Sequence, residues 1–297
     1  MLHIPDNRVF DPFISTSTTD TELSLPYHTF DKIRDSCTFH LPSEVQNHII
    51  DSANKLNVIH INARSIVNKL DDLCLLLNET AIPWQVIIIS ESWLQQSIES
   101  NYNLTGYRAV FCSRAHGTGG GVAIYIADHL CPEALQSPGF TTAEVACASI
   151  KLNNNSNLVI CQIYRPPNSD KNVFNLELEQ CLIWLNKLNK LTIITGYFNF
   201  DLFSMETSAQ AQVFFNNQLS HSFYPTIFRT TRSTSSSSTL IDNIYCNDMS
   251  RVAHSGIIMS DLSDHFPIFA SLDLDTKSTN LININKAKKK IFDYKMI

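Results

Sequence analysis

The chain has no apolar run of membrane length: residues 86–89 and 121–126 are among its longest, and a spanning helix needs roughly 20, so no span is expected. It has no secretory leader pattern either. Pro5 and Asp6 stand where such a leader places basic residues and then an apolar block, and the chain reads as intracellular, nuclear or cytoplasmic. It contains no C-x-x-C pair. Its eight cysteines, at 37, 74, 112, 131, 147, 161, 181 and 246, are scattered, which argues against a zinc site or a disulfide framework and leaves several as small core residues. It also lacks a basic excess. A formal charge of −6 excludes polybasic nucleic-acid binding, which rests on neutralising phosphates with Lys and Arg. That charge still permits an enzyme that touches DNA locally, through a loop-lined cleft.

What the chain does have is a globular composition: 297 residues, 44% of them hydrophobic, enough for one large α/β domain. Residues 1–55 are polar and weakly patterned, with a Ser/Thr cluster at 15–21, and read as an arm with one short helix near 43–54. From Asn57 the pattern changes. Strands are expected at 57–61, 86–89, 108–112, 121–126, 145–152, 158–164, 191–195, 240–246, 252–259 and 267–272. Helices are expected at 70–77, at 170–189 with Asp170 as N-cap, and at 208–220. Thr230–Thr239 is almost all Ser and Thr and reads as a long polar loop. The tail, 274–297, carries basic residues at 286–290. Several consecutive strands with few helices between them fit a two-sheet α/β sandwich with outer helices better than a βαβ repeat; its domain is expected over 56–273.

The informative polar residues sit at strand ends. Asn62 ends the run at 58–61, Glu91 the run at 86–90 and Tyr164 the run at 159–163, and Asn199 lies just beyond 191–195. Asp242 stands inside an apolar stretch, and Ser263, Asp264 and His265 precede the strand at 267. An ionised carboxylate in such surroundings costs several kcal/mol unless it meets a metal or a partner. Each residue alone has an ordinary reading: Asn62 as a turn residue, Glu91 at a helix start capped by Ser90, Asp242 as a satisfied core acid, His265 as structural. As a set they point to a site.

The segments HINARS (60–65), IIISESWL (87–94), GGGVAIYI (119–126), IYRPP (163–167), GYFNFDL (196–202), TLIDNIY (239–245) and SDHFPIF (263–269) resemble, in order and spacing, the endonuclease/exonuclease/phosphatase superfamily. More narrowly, the chain is similar to the apurinic-like endonuclease of jockey-type non-LTR retrotransposons over about residues 25–273. The resemblance implies a DNase I-like fold and a divalent cation, Mg2+ or Mn2+, held by Glu91 with Asn62 and Asp264. It implies that His265 contacts the phosphate with Asp242 fixing its tautomer, that Tyr164 offers its phenol to the same phosphate, and that Asn199 helps hold the attacking water. Arg232, ahead of the serine run, is implied to contact DNA. The implied substrate is double-stranded DNA, nicked to leave a primer 3′-hydroxyl. "IYRPP" and "TLIDNIY" weigh against a lipid or inositol phosphatase of the same superfamily.

The chain departs from this pattern at one position. The superfamily has Gly-Asp-Phe-Asn where this sequence has Gly196, Tyr197, Phe198 and Asn199. A phenol titrates roughly six units above an aspartate, so it is uncharged and a poor base at neutral pH; loss of a general base costs roughly 10²- to 10⁴-fold in rate. Three readings of Tyr197 stand at this point: a decaying copy of a mobile element, one nucleotide change from Asp; a non-catalytic binding module; or an enzyme with another base, for which Asp201 is the nearby candidate. Pro-Thr-Arg of the superfamily appears as Thr230, Thr231 and Arg232. No Tyr-x-Asp-Asp sequence of a reverse transcriptase is present, so the chain reads as a fragment of an element's second open reading frame or a truncated gene product.

Overall fold

A computed structural model describes residues 6–11, 27–49, 54–152 and 157–274. In chain order its first elements are helix α1 (Tyr27–Ser36), strands β1 (Thr38–His40) and β2 (Lys55–Asn62), helix α2 (Leu70–Glu79), and strands β3 (Val86–Ser90), β4 (Tyr107–Cys112), β5 (Val122–Ala127), β6 (Glu133–Leu135), β7 (Glu144–Lys151) and β8 (Asn157–Tyr164). Helix α3 (Lys171–Leu188), strand β9 (Leu191–Tyr197) and helix α4 (Ala209–Ser220) follow, then strands β10 (Tyr224–Pro225), β11 (Arg232–Ser233), β12 (Ser238–Thr239), β13 (Asp242–Cys246), β14 (Val252–Ile258) and β15 (Ile268–Asp273). The strands form two main sheets, in the orders β1-β14-β15-β2-β3-β5-β4 and β10-β13-β9-β8-β7-β6, with β11 and β12 as a separate hairpin.

Side-chain alternation explains the layering. Leu56, Val58, Val86 and Ile88 join the core shared with the second sheet, while their neighbours Ile59, Ile61, Ile87 and Ile89 pack with Leu73 and Leu76 of α2. Both faces of the first sheet are therefore apolar, which is why β2 and β3 read as continuous hydrophobic runs. On α3, Phe174, Leu178, Cys181, Leu182 and Leu185 are buried at three- and four-residue spacing. Asp170 accepts from the amides of Asn172 and Val173, and Ser208 caps α4 in the same way through Ala211. The expected two-sheet α/β sandwich with helices is what the chain forms. Among the described residues no helix is long and apolar enough to cross a membrane.

Three expectations need correction. The stretch read as a polar arm contains α1 and β1, and β1 pairs in parallel with β14. Phe10, Phe30, Ile33 and Cys37 enter the main core, with the Phe10 ring edge-on to Phe215 at 5.3 Å. Phe30, Ile33 and Cys37 keep helical spacing over only two turns, too short a run to stand out from the polar segment around it. The helix expected near 43–54 is a single 3-10 stretch, Pro42–Asn47, and residues 50–53 lie outside the described residues. The serine-rich loop is a small antiparallel hairpin, Arg232 pairing with Thr239 and Ser233 with Ser238, and Thr230 and Thr231 are fully buried beside it. The Ser/Thr cluster at 15–21 and the basic tail at 286–290 lie outside the described residues.

Candidate active site

Strand register brings the polar strand ends together. In the first sheet β2 runs parallel to β3 with Asn62 opposite Ser90, so Asn62 and Glu91 emerge side by side, and the Asn62 amide donates to Glu91 Oε1 at 3.0 Å. In the second sheet β8 is parallel to β9 and β9 antiparallel to β13, with Tyr164 opposite Tyr197 and Tyr197 opposite Asp242. Tyr164, Tyr197 and Asp242 therefore form one row across three adjacent strands. His265, three residues before β15, closes the arrangement: its Nδ1 lies 2.8 Å from Asp242 Oδ2.

The His265 and Asp242 side chains are both buried. Asp242 Oδ2 also accepts from the Thr231 hydroxyl at 2.9 Å, and that hydroxyl in turn accepts from the amides of Ile241 and Asp242. Asp242 Oδ1 has no hydrogen-bond partner among the described residues. Beneath the pair lies His60, its Nε2 2.9 Å from Ser90 Oγ. Burial holds the His60 imidazole down at about 4, against the raising influence of Asp242, and His265 adds to the depression.

Tyr197 is 3% exposed. Its ring stacks on Tyr164, centroids 5.6 Å apart, and meets the His265 ring edge-on at 5.2 Å. Burial pushes its phenol well above the ordinary tyrosine value, and the carboxylates of Asp242 and Glu91 push it further. Tyr164 is raised for the same two reasons, burial first and then Glu91 and Glu144.

Glu91 is half-buried, with φ +53°. Its Oε2 takes the Trp93 indole N–H at 3.4 Å, and among the described residues it enters no salt bridge. Asp264 differs: Arg64 holds its Oδ1 at 3.0 Å and Arg232 its Oδ2 at 2.8 Å. Burial works to raise the Asp264 carboxyl, and the hydrogen bonds from Arg232 and Arg64 outweigh it and hold it at about 2. Of the expected cation ligands, Glu91 and Asn62 are adjacent, while Asp264 has both oxygens on guanidinium groups. Among the described residues no group of three or more His, Cys, Asp or Glu side chains is placed to hold a metal. A magnesium ion that keeps most of its water and takes one carboxylate fits Glu91 on these grounds, because among the described residues no salt bridge engages that carboxylate.

Asn199, half-buried with φ +55°, follows β9. Its carbonyl is held by Arg165 Nη2 at 2.9 Å, and its side chain has no hydrogen bond to protein among the described residues. Asp201, the alternative base, is committed elsewhere: its oxygens accept from Phe203 N, Leu240 N and Ser204 Oγ. Sequence reasoning missed Thr231, Arg64, His60 and Arg165. The one available signal was that Arg64 and Arg165 each stand two or fewer residues past a strand-end polar group.

No family model and no curated protein matches the chain. Solved structures do. An AP endonuclease from Leishmania major is similar at 12% identity, over 75% of this chain and 89% of that one, with a TM-score of 0.62. The catalytic domain of APE2 from Xenopus laevis aligns at 17% identity over 73% and 92%, with a TM-score of 0.57. The endonuclease domain of TRAS1, a telomere-specific non-LTR retrotransposon, aligns at 15% over 74% and 99%, with a TM-score of 0.56. At such identities the likeness is one of fold: the chain has the DNase I-like fold of the endonuclease/exonuclease/phosphatase proteins, which AP endonucleases and a retrotransposon endonuclease share.

Proposed function

We propose that this chain is a metal-dependent endonuclease domain of a non-LTR retrotransposon, of the jockey type by its seven sequence blocks, acting on double-stranded DNA and impaired by Tyr197. The observation that supports this reading is the Glu91 carboxylate, in no salt bridge among the described residues, at the same rim as the buried His265 and Asp242 pair, with the Tyr197 phenol between them.

When bound at Glu91 and Asn62, a divalent cation supplies charge compensation to the phosphate oxygens. The protein's own groups do the rest. Asp242 fixes the His265 ring by accepting at Nδ1, which leaves Nε2 to donate to a non-bridging phosphate oxygen. The Tyr164 phenol, protonated throughout the neutral range, donates to the same phosphate. On this reading Asn199 orients the water, and Arg232 meets a flanking phosphate through the guanidinium donors that Asp264 does not engage. What is absent is a group that accepts the proton of that water. Asp201 does not replace it, since three hydrogen bonds occupy it as a helix cap.

A second reading is favoured by the packing of Tyr197: its ring fills the space between Tyr164 and His265 as a core residue does. On that reading the chain binds DNA or protein without turnover. Nicking of supercoiled plasmid in magnesium separates the two, comparing the chain as it stands with Tyr197→Asp. Nicking only after the change supports a disabled nuclease; strong nicking by the unchanged chain refutes impairment. Binding without nicking in both supports the second reading.

A further inference from the structure

Trp93 is placed as if to be touched. Among the described residues it is the one aromatic among the exposed large apolar side chains, at 38%. Its φ is +56°, and that of Glu91, two residues before it, is +53°. A bulky residue rarely adopts such a backbone, and it persists only where the surroundings over-determine it. Here they do. On one side Ser65 N donates to Glu91 O at 2.7 Å and Ile66 N to Ser92 O at 3.0 Å; on the other, Ser92 N donates to Gly121 O at 3.0 Å and Trp93 N to Gly120 O at 2.8 Å. Ser92 and Leu94 are buried on either side of the indole, so the turn anchors both neighbours and turns Trp93 outward.

The location gives this exposure a direction. The indole N–H reaches Glu91 Oε2 at 3.4 Å, so the ring lies at the edge of the candidate site. The two strands of loop that pin the turn each carry a cation: Arg64 on the side of Ser65, and Arg114, whose carbonyl accepts from Gln96 N. The ion pair of Arg114 and Glu144 sits over Gly120, where a Cβ would come within 2.5 Å of both side chains, so glycine there lets the pair and the turn approach. Both guanidinium groups are also held by a carboxylate, Arg64 by Asp264 and Arg114 by Glu144, so each reaches a phosphate through its remaining donors; an exposed, rigid aromatic face flanked by guanidinium groups is an arrangement on which nucleic-acid bases stack.

We propose that Trp93 is a stacking platform for a nucleobase of the bound strand beside the phosphate at Glu91, with Arg64 and Arg114 on the adjoining phosphates. The inference rests on the nucleic-acid reading above and deepens it. Base faces are hidden inside an intact duplex, so the platform engages an unpaired base, and DNA carrying a short single-stranded gap binds more tightly than a fully paired duplex.

The test uses the full chain with EDTA present, so that binding is read without cleavage, and two short duplexes, one gapped and one fully paired. Anisotropy of labelled DNA gives affinity, and indole emission with unlabelled DNA reports on the ring. The expected result is a change of emission on binding gapped DNA that Trp93→Phe abolishes. Affinity for gapped DNA falls about tenfold in Trp93→Ala and much less in Trp93→Phe, which keeps a π-face. Thermal unfolding shows whether the variants remain folded; if Trp93→Ala does not, the Trp93→Phe emission comparison decides. Binding with unchanged emission, or equal affinity of folded Trp93→Ala, overturns the platform and leaves the nuclease reading standing. No binding of either duplex at low salt overturns both.

Discussion

The Tyr197 ring meets the His265 imidazole edge-on, centroids 5.2 Å apart and planes at 80°, while His265 Nδ1 is engaged by Asp242. The phenol thus occupies the flank of a buried histidine held by an acid, and burial beside two carboxylates keeps it protonated through neutral pH. A side chain there that accepted a proton would sit between Glu91 and Asp242, whose charges both act on this position. Its own ionisation then depends on a cation nearby.

Tyr197→Asp is therefore expected to raise plasmid nicking by roughly 10²- to 10⁴-fold, and only with magnesium or manganese present. The exchange also empties the space of a buried ring, at a cost of about 3 kcal/mol in stability, so activity is to be compared at a temperature where both proteins are folded. Tyr197→Asn leaves a similar void without a charge and should not restore nicking. Equal recovery by Asn and Asp would remove the general-base argument.

Glu91 is the rim carboxylate free of salt bridges among the described residues, so Glu91→Gln should abolish metal-dependent nicking in the Tyr197→Asp background. Mn2+ titration followed by electron paramagnetic resonance is expected to show the bound ion lost while DNA binding in EDTA persists. Retained manganese binding would place the cation elsewhere.

The strand ends were legible because parallel neighbours in register finish at the same rim. Asn62, Glu91, Tyr164 and Asp242 each interrupt an apolar run, and a polar group closing a buried strand must be paired or used. Thr231 was not legible: it lies in a Ser/Thr run without periodicity, and its partnership with Asp242 depends on a hairpin held by backbone bonds. His60 was hidden for another reason. It alternates with Leu56 and Val58 on the inner face of β2, and only the neighbouring strands reveal that Ser90 and Asp242 face it. Asp264 was named as a ligand through the resemblance; its two arginines, 200 and 32 residues away, left no mark in the sequence.

Arg165 is fully buried, and its guanidinium nitrogens serve carbonyls and a hydroxyl: Nε donates to Phe198 O at 2.7 Å, Nη2 to Asn199 O at 2.9 Å, and Nη1 faces Pro166 O, Ser169 O and Ser169 Oγ. The Phe200 ring lies under the guanidinium at 4.6 Å. A lysine reaches with one ammonium and cannot serve the planar fork. Arg165→Lys is expected to cost about 3 kcal/mol in urea unfolding, because the carbonyls of 198 and 199 are left buried and unpaired. A loss below about 0.5 kcal/mol, the size of an ordinary surface change, would mean that the turn carrying Asn199 is held by its strand alone.

Acid stability should fall in two successive windows. His60 is held at about 4 in the folded chain by burial, against about 6.5 when unfolded. Between those values the unfolded chain binds more protons, so stability contributed by the neutral imidazole is present above pH 6.5 and is lost as pH falls toward 4, roughly 3 kcal/mol in all. His40, also lowered to about 4 by burial and by His48, acts in the same window. Asp264 follows: its carboxyl is held at about 2, so its contribution is complete above about 4 and disappears as pH drops from there toward 2. The measurement is the urea midpoint as a function of pH. His60→Gln should flatten the upper window in part, leaving the share of His40, and Asp264→Asn should flatten the lower one alone. An unchanged upper slope in His60→Gln would show that the buried imidazole does not set acid sensitivity, and that the polar layer beneath the Asp242 and His265 pair is hydrated enough to charge without penalty.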